Sequence, residues 1–263
     1  MRNDLVDFWK RCDLAEPPFA HPDDWQFLRR QNGKHIDADP KDFDGFVTSP
    51  RFGDPSDHRF HLSLLPVPYG GDLARADIVI LLLNPGFSYI DYYAETRVPA
   101  FRRRLEKNLA QEFAGVEFPF LWLDPEFCWH SGFIWWEKKL RRLIEKIAEG
   151  KFSGRYLYAL RDLSSRLAIV ELVPYHSLSF QGHALIDCLP SVAQARCYVH
   201  DVLLPATKTG VKTVIVTRQK DAWGLKDRGE HLEIYSGGQT RGASLGPGTP
   251  GGGAILKRYG IAG

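Results

Sequence analysis

The chain has 263 residues, 44% hydrophobic and 25% charged, with a formal net charge of +2. That length suits one α/β domain with a sizeable core plus an N-terminal extension, and the composition is that of an ordinary globular protein. No apolar run reaches the roughly 18 residues that a bilayer crossing needs, and no apolar stretch follows Met1-Arg2-Asn3-Asp4, so the default expectation is a cytoplasmic protein with no membrane partner.

Cys12, Cys128, Cys188 and Cys197 form no Cys-x-x-Cys pair. Four reduced, inert thiols are expected rather than a disulfide framework or an iron–sulfur cluster, and no metal or other cofactor is called for. The near-neutral charge does not itself announce a nucleic-acid binder. Two local clusters carry more information: Arg97, Arg102, Arg103, Arg104 and Lys107, then Lys138, Lys139, Arg141, Arg142 and Lys146. They suit phosphate contacts, but on charge pattern alone the solvated faces of amphipathic helices are the better reading.

Residues 1–60 are punctuated by prolines, with short helical patterns over 4–12 and around Trp25–Arg30. We read them as an N-terminal extension packed on a main domain of residues 61–263. His61–Leu65 suggests a short strand, and Pro66 to Gly71 a rigid loop. Asp77–Leu83 is the uninterrupted apolar run of a strand buried on both faces, and it stops at Asn84-Pro85-Gly86. Helices are predicted over 99–114, 132–148, 154–166 and 191–204, and strands over 167–173, 211–217 and 231–235. The glycine-rich segment 237–253 resembles a disordered tract, but interleaved Ser, Thr, Arg and Pro and a helical pattern over 254–259 favour an ordered loop. Strands alternating with helices predict a three-layer α/β/α sandwich around a mostly parallel four-stranded sheet. In such sheets ligands sit beyond the carboxyl ends of the strands, here at Asn84, at Glu171 to His176, and at Arg218 to Trp223.

The order of these elements, with Leu82-Leu83-Asn84-Pro85-Gly86 closing a buried strand, resembles the uracil-DNA glycosylase superfamily, in which Gly-x-Asn-Pro-Gly motifs occupy that place. The resemblance spans roughly residues 60 to 260 in architecture and is close in letters only at the first motif. It implies a monofunctional DNA N-glycosylase, without cofactor and with DNA as partner, that flips a nucleotide and leaves an abasic site. Asn84 would position the attacking water; the competing reading is an Asn that caps a turn before Pro85. Pro85 and Gly86 would border the base, and Gly86, standing where strict uracil enzymes place Tyr, would admit a group at C5. Phe87, Tyr89 and Tyr92 are candidates to stack on the base, with Tyr175 and His176 close behind the second strand.

Glu171 stands where the superfamily commonly has Asn. Ionised, it presents acceptors to a cytosine N4 amine; neutral, it also donates to N3. Its competing reading is a Glu paired with an Arg at a strand end. The last loop lacks the family's His, so Arg241 is the candidate to stabilise the leaving base, with Ser244 and Leu245 against DNA and Leu245 as a wedge. Arg102 and Arg103 are candidate phosphate contacts. The leading expectation is excision of a C5-modified cytosine, with defence against bacteriophage as the role. The alternatives are uracil or mismatch repair, a non-catalytic nucleic-acid-binding module, and a nucleoside hydrolase.

Overall fold

The computed structural model describes residues 4–31, 36–37 and 39–261. The chain divides into two units that alternate in sequence: Met1–Tyr69, Leu83–Glu112 and Glu171–Tyr198 make the first, and Gly70–Leu82, Phe113–Val170 and Val199–Gly263 the second. In chain order the strands are β1 (Ile36–Asp37), β2 (Phe60–His61), β3 (Tyr69–Gly70), β4 (Ile78–Leu82), β5 (Leu167–Glu171), β6 (Thr213–Val216) and β7 (Leu232–Ile234).

The main sheet has the order β3-β5-β4-β6-β7. β4 and β6 run parallel with Ile78 opposite Thr213, and β6 and β7 run parallel with Val214 opposite Leu232. The α/β class stands, but the expected mostly parallel sheet of four strands is corrected to a mixed sheet of five. The extra strand is β3, hidden in a stretch whose prolines and glycines read as loop. Gly71 has φ +80°, and a Cβ there would lie 2.4 Å from the carbonyl oxygen of Leu167. Glycine is what lets this edge backbone approach β5 so closely.

Helices over Pro99–Ala110, Ser131–Lys151 and Tyr156–Arg166 fall where apolar spacing placed them. The single helix expected over 191–204 is instead Pro190–Tyr198, a π-helical turn Val199–Leu203, and Leu204–Lys208. Pro205 sits in the first turn of the last piece, where its missing N–H leaves no hydrogen bond unmade; in a continuous helix it would have broken one. In the second unit, Pro250–Arg258 and Leu204–Lys208 both pack on β6. No described helix is long and apolar enough to cross a membrane.

In the first unit β1 pairs with β2 in parallel. Residues 4–28 are bound into this unit by a buried polar cluster. The Asp24 carboxylate accepts hydrogen bonds from the Tyr175 hydroxyl at 2.6 Å and the Ser191 N–H at 2.9 Å, and the His21 N–H donates to the Tyr175 hydroxyl at 3.3 Å. Phe8 stacks on His21 with ring centroids 3.6 Å apart. A second buried carboxyl, Glu95, accepts from the Leu65 N–H at 2.9 Å, with Arg102 at 3.7 Å; burial pushes its pKa up to about 8. Its helix, Tyr89–Arg97, lacks a helical apolar period and escaped sequence reading, although Ser88 and Asp91 form a capping box: the Ser88 N–H donates to Asp91 at 2.6 Å.

Replacing Asp24 by Ala strands a buried hydroxyl and a buried N–H. The expected loss is about 3 kcal/mol of unfolding free energy, read by urea denaturation, with Asp24→Asn retaining more than Ala because it keeps an acceptor.

Candidate active site at the Asn-Pro-Gly loop

β4 ends at Leu82, yet backbone pairing continues past it. The Val173 N–H donates to the Leu83 carbonyl at 2.9 Å and the Ser177 N–H to the Pro85 carbonyl at 3.3 Å, and Gly86 bridges Ser177 in parallel. Residues 83–86 and 172–177 are therefore extended segments held side by side beyond the sheet. Between them, the Asn84 amide nitrogen donates to Ser177 Oγ at 2.9 Å, the Pro85 carbonyl at 3.0 Å and the Tyr175 carbonyl at 3.2 Å. Three acceptors around one NH₂ group fix which end of the amide is nitrogen. Oδ1 receives no hydrogen bond from any described residue, so the half-buried Asn84 offers an oriented acceptor. The contacts to Tyr175 and Ser177 reach a segment some ninety residues away, which a simple turn cap would not do.

Glu171, the last residue of β5, is 4% exposed. Its N–H donates to the Pro68 carbonyl at 3.0 Å, but Oε2 is buried with no partner among the described residues. Burial raises its pKa well above the ordinary carboxyl range, with no opposing cation among the described residues, which favours the neutral acid. The strand-end pairing with an Arg entertained from sequence is not found among the described residues. His176 Nδ1 lies 2.7 Å from the Gly86 carbonyl. A carbonyl only accepts, so Nδ1 carries the proton and Nε2 is the acceptor in the neutral ring.

The aromatic candidates separate. Phe87 and Tyr89 are half-buried beside the loop. Tyr92 is fully buried, stacked on Phe46 at 4.3 Å with planes 11° apart, and Tyr175 is buried with its hydroxyl on Asp24. Both belong to the core, which corrects their expected place against a ligand. Pro85 is buried and Gly86 exposed; a Cβ on Gly86 would meet no atom within 4 Å.

Sequence reading missed His61. Its ring stacks on Phe87 at 3.8 Å and 16°, and its Nδ1 lies 3.3 Å from the Tyr92 hydroxyl. Burial drives its pKa down to about 4, against the opposing pull of Asp57. A histidine in a two-residue strand carries no motif that would have singled it out.

Comparison of the chain with family models, with curated proteins and with solved structures finds no match.

The remaining candidates lie elsewhere in the fold. Arg102, in the first unit, hydrogen-bonds Glu106 at 2.7 Å and the Leu14 carbonyl at 2.8 Å, and covers the Phe19 ring at 4.8 Å. Its charge and donors serve the fold, which corrects the expectation of a phosphate contact; Arg103 is exposed. Arg241, Ser244 and Leu245 belong to the second unit, where Gln239–Gly242 is one helical turn. Arg241 and Ser244 are exposed, but Leu245 is 2% exposed, so as placed it is a core residue and not a wedge. The glycine-rich segment is ordered, as expected, for a packing reason: a Cβ on Gly252 would come within 1.9 Å of the Gly246 carbonyl oxygen, and the Gly252 N–H donates to Thr249 Oγ1 at 3.1 Å. Among the described residues no cluster of three or more His, Cys, Asp or Glu is arranged to hold a metal.

A buried carboxyl without a partner is unfavourable for folding, so Glu171→Leu should stabilise the protein by about 1–3 kcal/mol. The sign of the pH dependence follows from the raised pKa. In the native protein the contribution of Glu171 is most favourable below the unfolded-state value of about 4.3 and declines as pH rises from there toward the folded value. The advantage of Glu171→Leu in melting temperature should therefore grow as pH is raised from about 4 into the neutral range. Equal melting of the two proteins across that range would show that the carboxyl is not desolvated.

Proposed function

We propose that this protein is a monofunctional DNA glycosylase that excises a C5-substituted pyrimidine, cytosine derivatives first, and leaves an abasic site. The observation that carries the reading is the buried Glu171 carboxyl, whose Oε2 has no partner among the described residues, at a strand end two residues from Val173, whose N–H pairs with Leu83 just before Asn84. Folding gains nothing from such a group, whereas a base edge would use both its O–H and its C=O.

In the proposed reaction Asn84 Oδ1 accepts a hydrogen bond from water and aims it at C1′ of the flipped nucleotide, with Phe87 stacked on the base and braced by His61. The C1′–N1 bond breaks with an oxocarbenium-like sugar and the bonding pair leaves with the base; water adds to C1′ and gives up one proton to solvent, from which the Glu171 carboxyl is reprotonated after the base departs. Cytosine is a poor leaving group as an anion. Glu171 presents its C=O to the N4 amine and its O–H to N3, and proton transfer to N3 as the bond breaks lets the base depart neutral. The open space at Gly86 accommodates the C5 substituent. We further propose that the exposed Arg103 and Ser244 contact the DNA, and that helices cover both faces of the sheet as in a three-layer sandwich. By resemblance, the biological role is removal of hypermodified cytosine from bacteriophage DNA inside the cell.

A second reading, uracil or mismatch repair, draws on the same group. A neutral carboxyl also complements uracil, with O–H to O4 and C=O receiving N3–H. The two readings differ at Gly86, since uracil leaves that space empty.

Asn84→Ala should lower single-turnover excision by about 10²–10³-fold with little change in DNA affinity, because a contact to attacking water forms fully only in the transition state. Wild-type turnover in that variant would remove Asn84 from the mechanism. On oligonucleotides carrying different pyrimidines, scored by cleavage at abasic sites, C5-substituted cytosine should be excised at least tenfold faster than uracil, and Gly86→Tyr should abolish the difference. Efficient uracil excision with modified cytosine untouched would promote the repair reading; no abasic sites from any base would remove both.

A further inference from the structure

The helix Ser131–Lys151 of the second unit buries Trp136, Leu140, Leu143, Ile144 and Ile147. Its other side carries Trp135, Lys138, Lys139, Arg142 and Lys146, three and four residues apart and so aligned in one stripe. On a neighbouring part of the same helix Arg141 is answered by Glu137, with hydrogen bonds of 2.8 and 2.6 Å. Lys138, Arg142 and Lys146 form no ion pair among the described residues, although Glu145 and Glu149 follow three residues after Arg142 and Lys146.

A second segment adds to this charge. Lys139 Nζ donates to the Gly242 and Ala243 carbonyls at 2.5 and 3.1 Å, and Arg218 donates to the Thr240 and Arg241 carbonyls at 3.1 and 3.0 Å. These bonds close the end of the Gln239–Gly242 turn and hold two cations near each other: burial, and then the charge of Arg218, lower the Lys139 pKa. The exposed side chain of Arg241 belongs to the same turn. At the head of the stripe Trp135 is 45% exposed, with Lys139 Nζ 4.8 Å from its ring centroid and Trp136 edge-on at 4.9 Å.

Crowded like charges and a half-exposed indole are each unfavourable in water, and one kind of ligand relieves both. An acidic peptide would answer the charges and leave the ring wet. A duplex would answer the charges but keep its bases stacked inside. A single strand brings phosphates and free base faces together. We propose that the stripe from Trp135 to Lys146, with Arg218 and Arg241, is a binding surface for single-stranded nucleic acid. The proposal uses neither Asn84 nor Glu171 and holds whether or not the protein cleaves a glycosidic bond.

The test is fluorescence anisotropy with the intact protein and labelled oligo(dT) and oligo(U) of about fifteen nucleotides, a duplex of the same length, and poly-glutamate as competitor, at several salt concentrations. Expected are tighter binding of single strands than of duplex, a log–log salt slope near −0.7 for each phosphate neutralised, and weak competition by poly-glutamate. Trp135→Ala should weaken binding roughly fivefold or more through lost stacking, and Trp135→Leu, which keeps apolar bulk, should weaken it comparably. Lys138→Glu with Arg142→Glu should weaken it further, with unchanged melting showing that the fold is intact. A preference between oligo(dT) and oligo(U) would name the natural strand, and equal binding would assign recognition to phosphate and base stacking; both support the surface. Duplex bound as tightly as single strand, efficient displacement by poly-glutamate, no binding at low salt, or unchanged affinity in the Trp135 or charge-reversed variants would each overturn it.

Discussion

The arrangement of the Asn-Pro-Gly loop depends on backbone pairing between residues 83–86 and 172–177, the segments that follow β4 and β5 in the chain. Leu83 and Pro85 accept from Val173 and Ser177, and those two hydrogen bonds fix the register of residues 83–86 against 172–177. A shift of one residue would turn every side chain of this stretch over. Asn84 would lose Ser177 Oγ and the Tyr175 carbonyl, and His176 would lose the Gly86 carbonyl. The short side-chain bonds of the loop are consequences of that register. They in turn make an amide, ordinarily free to rotate, present one defined acceptor.

Around this loop the protein tolerates features that folding does not favour. Glu171 and His61 are buried, and each has a polar atom without a partner among the described residues. Their surroundings displace both from their charged forms, Glu171 toward the acid and His61 toward the neutral imidazole. Asp24 shows the contrast: it is as deeply buried, but both oxygens are occupied, and it ties residues 4–28 to Tyr175 and Ser191. Burial serves structure where partners are supplied. Where they are not, it raises the pKa of a carboxyl and favours its protonated form.

The cations divide in a similar way. Arg102 and Arg141 look in sequence like members of basic clusters, yet each is matched to a carboxylate, a carbonyl or an aromatic ring and adds little to the outward field. Lys138, Arg142 and Lys146 differ from them in what stands opposite, not in residue type or spacing. A count of charges cannot separate the two sets, because the acid that answers Arg102 is in part Glu95, seven residues away on another helix.

The sequence by itself determined the α/β class, the buried run ending at Asn84, and the helices Pro99–Ala110, Ser131–Lys151 and Tyr156–Arg166, because apolar spacing is a local property that the chain carries wherever it folds. It also marked Asn84, Glu171 and His176 as chemistry-bearing residues at strand ends. Tertiary structure decided the rest. β3 exists because a distant backbone, at Leu167, comes within reach of Gly71, and no pattern in Pro66 to Gly71 records that approach. Tyr92, Tyr175 and Leu245 became core while Phe87 stayed at the loop, since burial depends on which segments pack together and an aromatic or leucine reads alike in either place. His61 joined the site through a stack on Phe87, twenty-six residues further along the chain. Whether Glu171 would be an ion-paired strand end or a carboxyl with a raised pKa depended on its burial with no cation partner among the described residues, a property of the space around the side chain that sequence order does not encode.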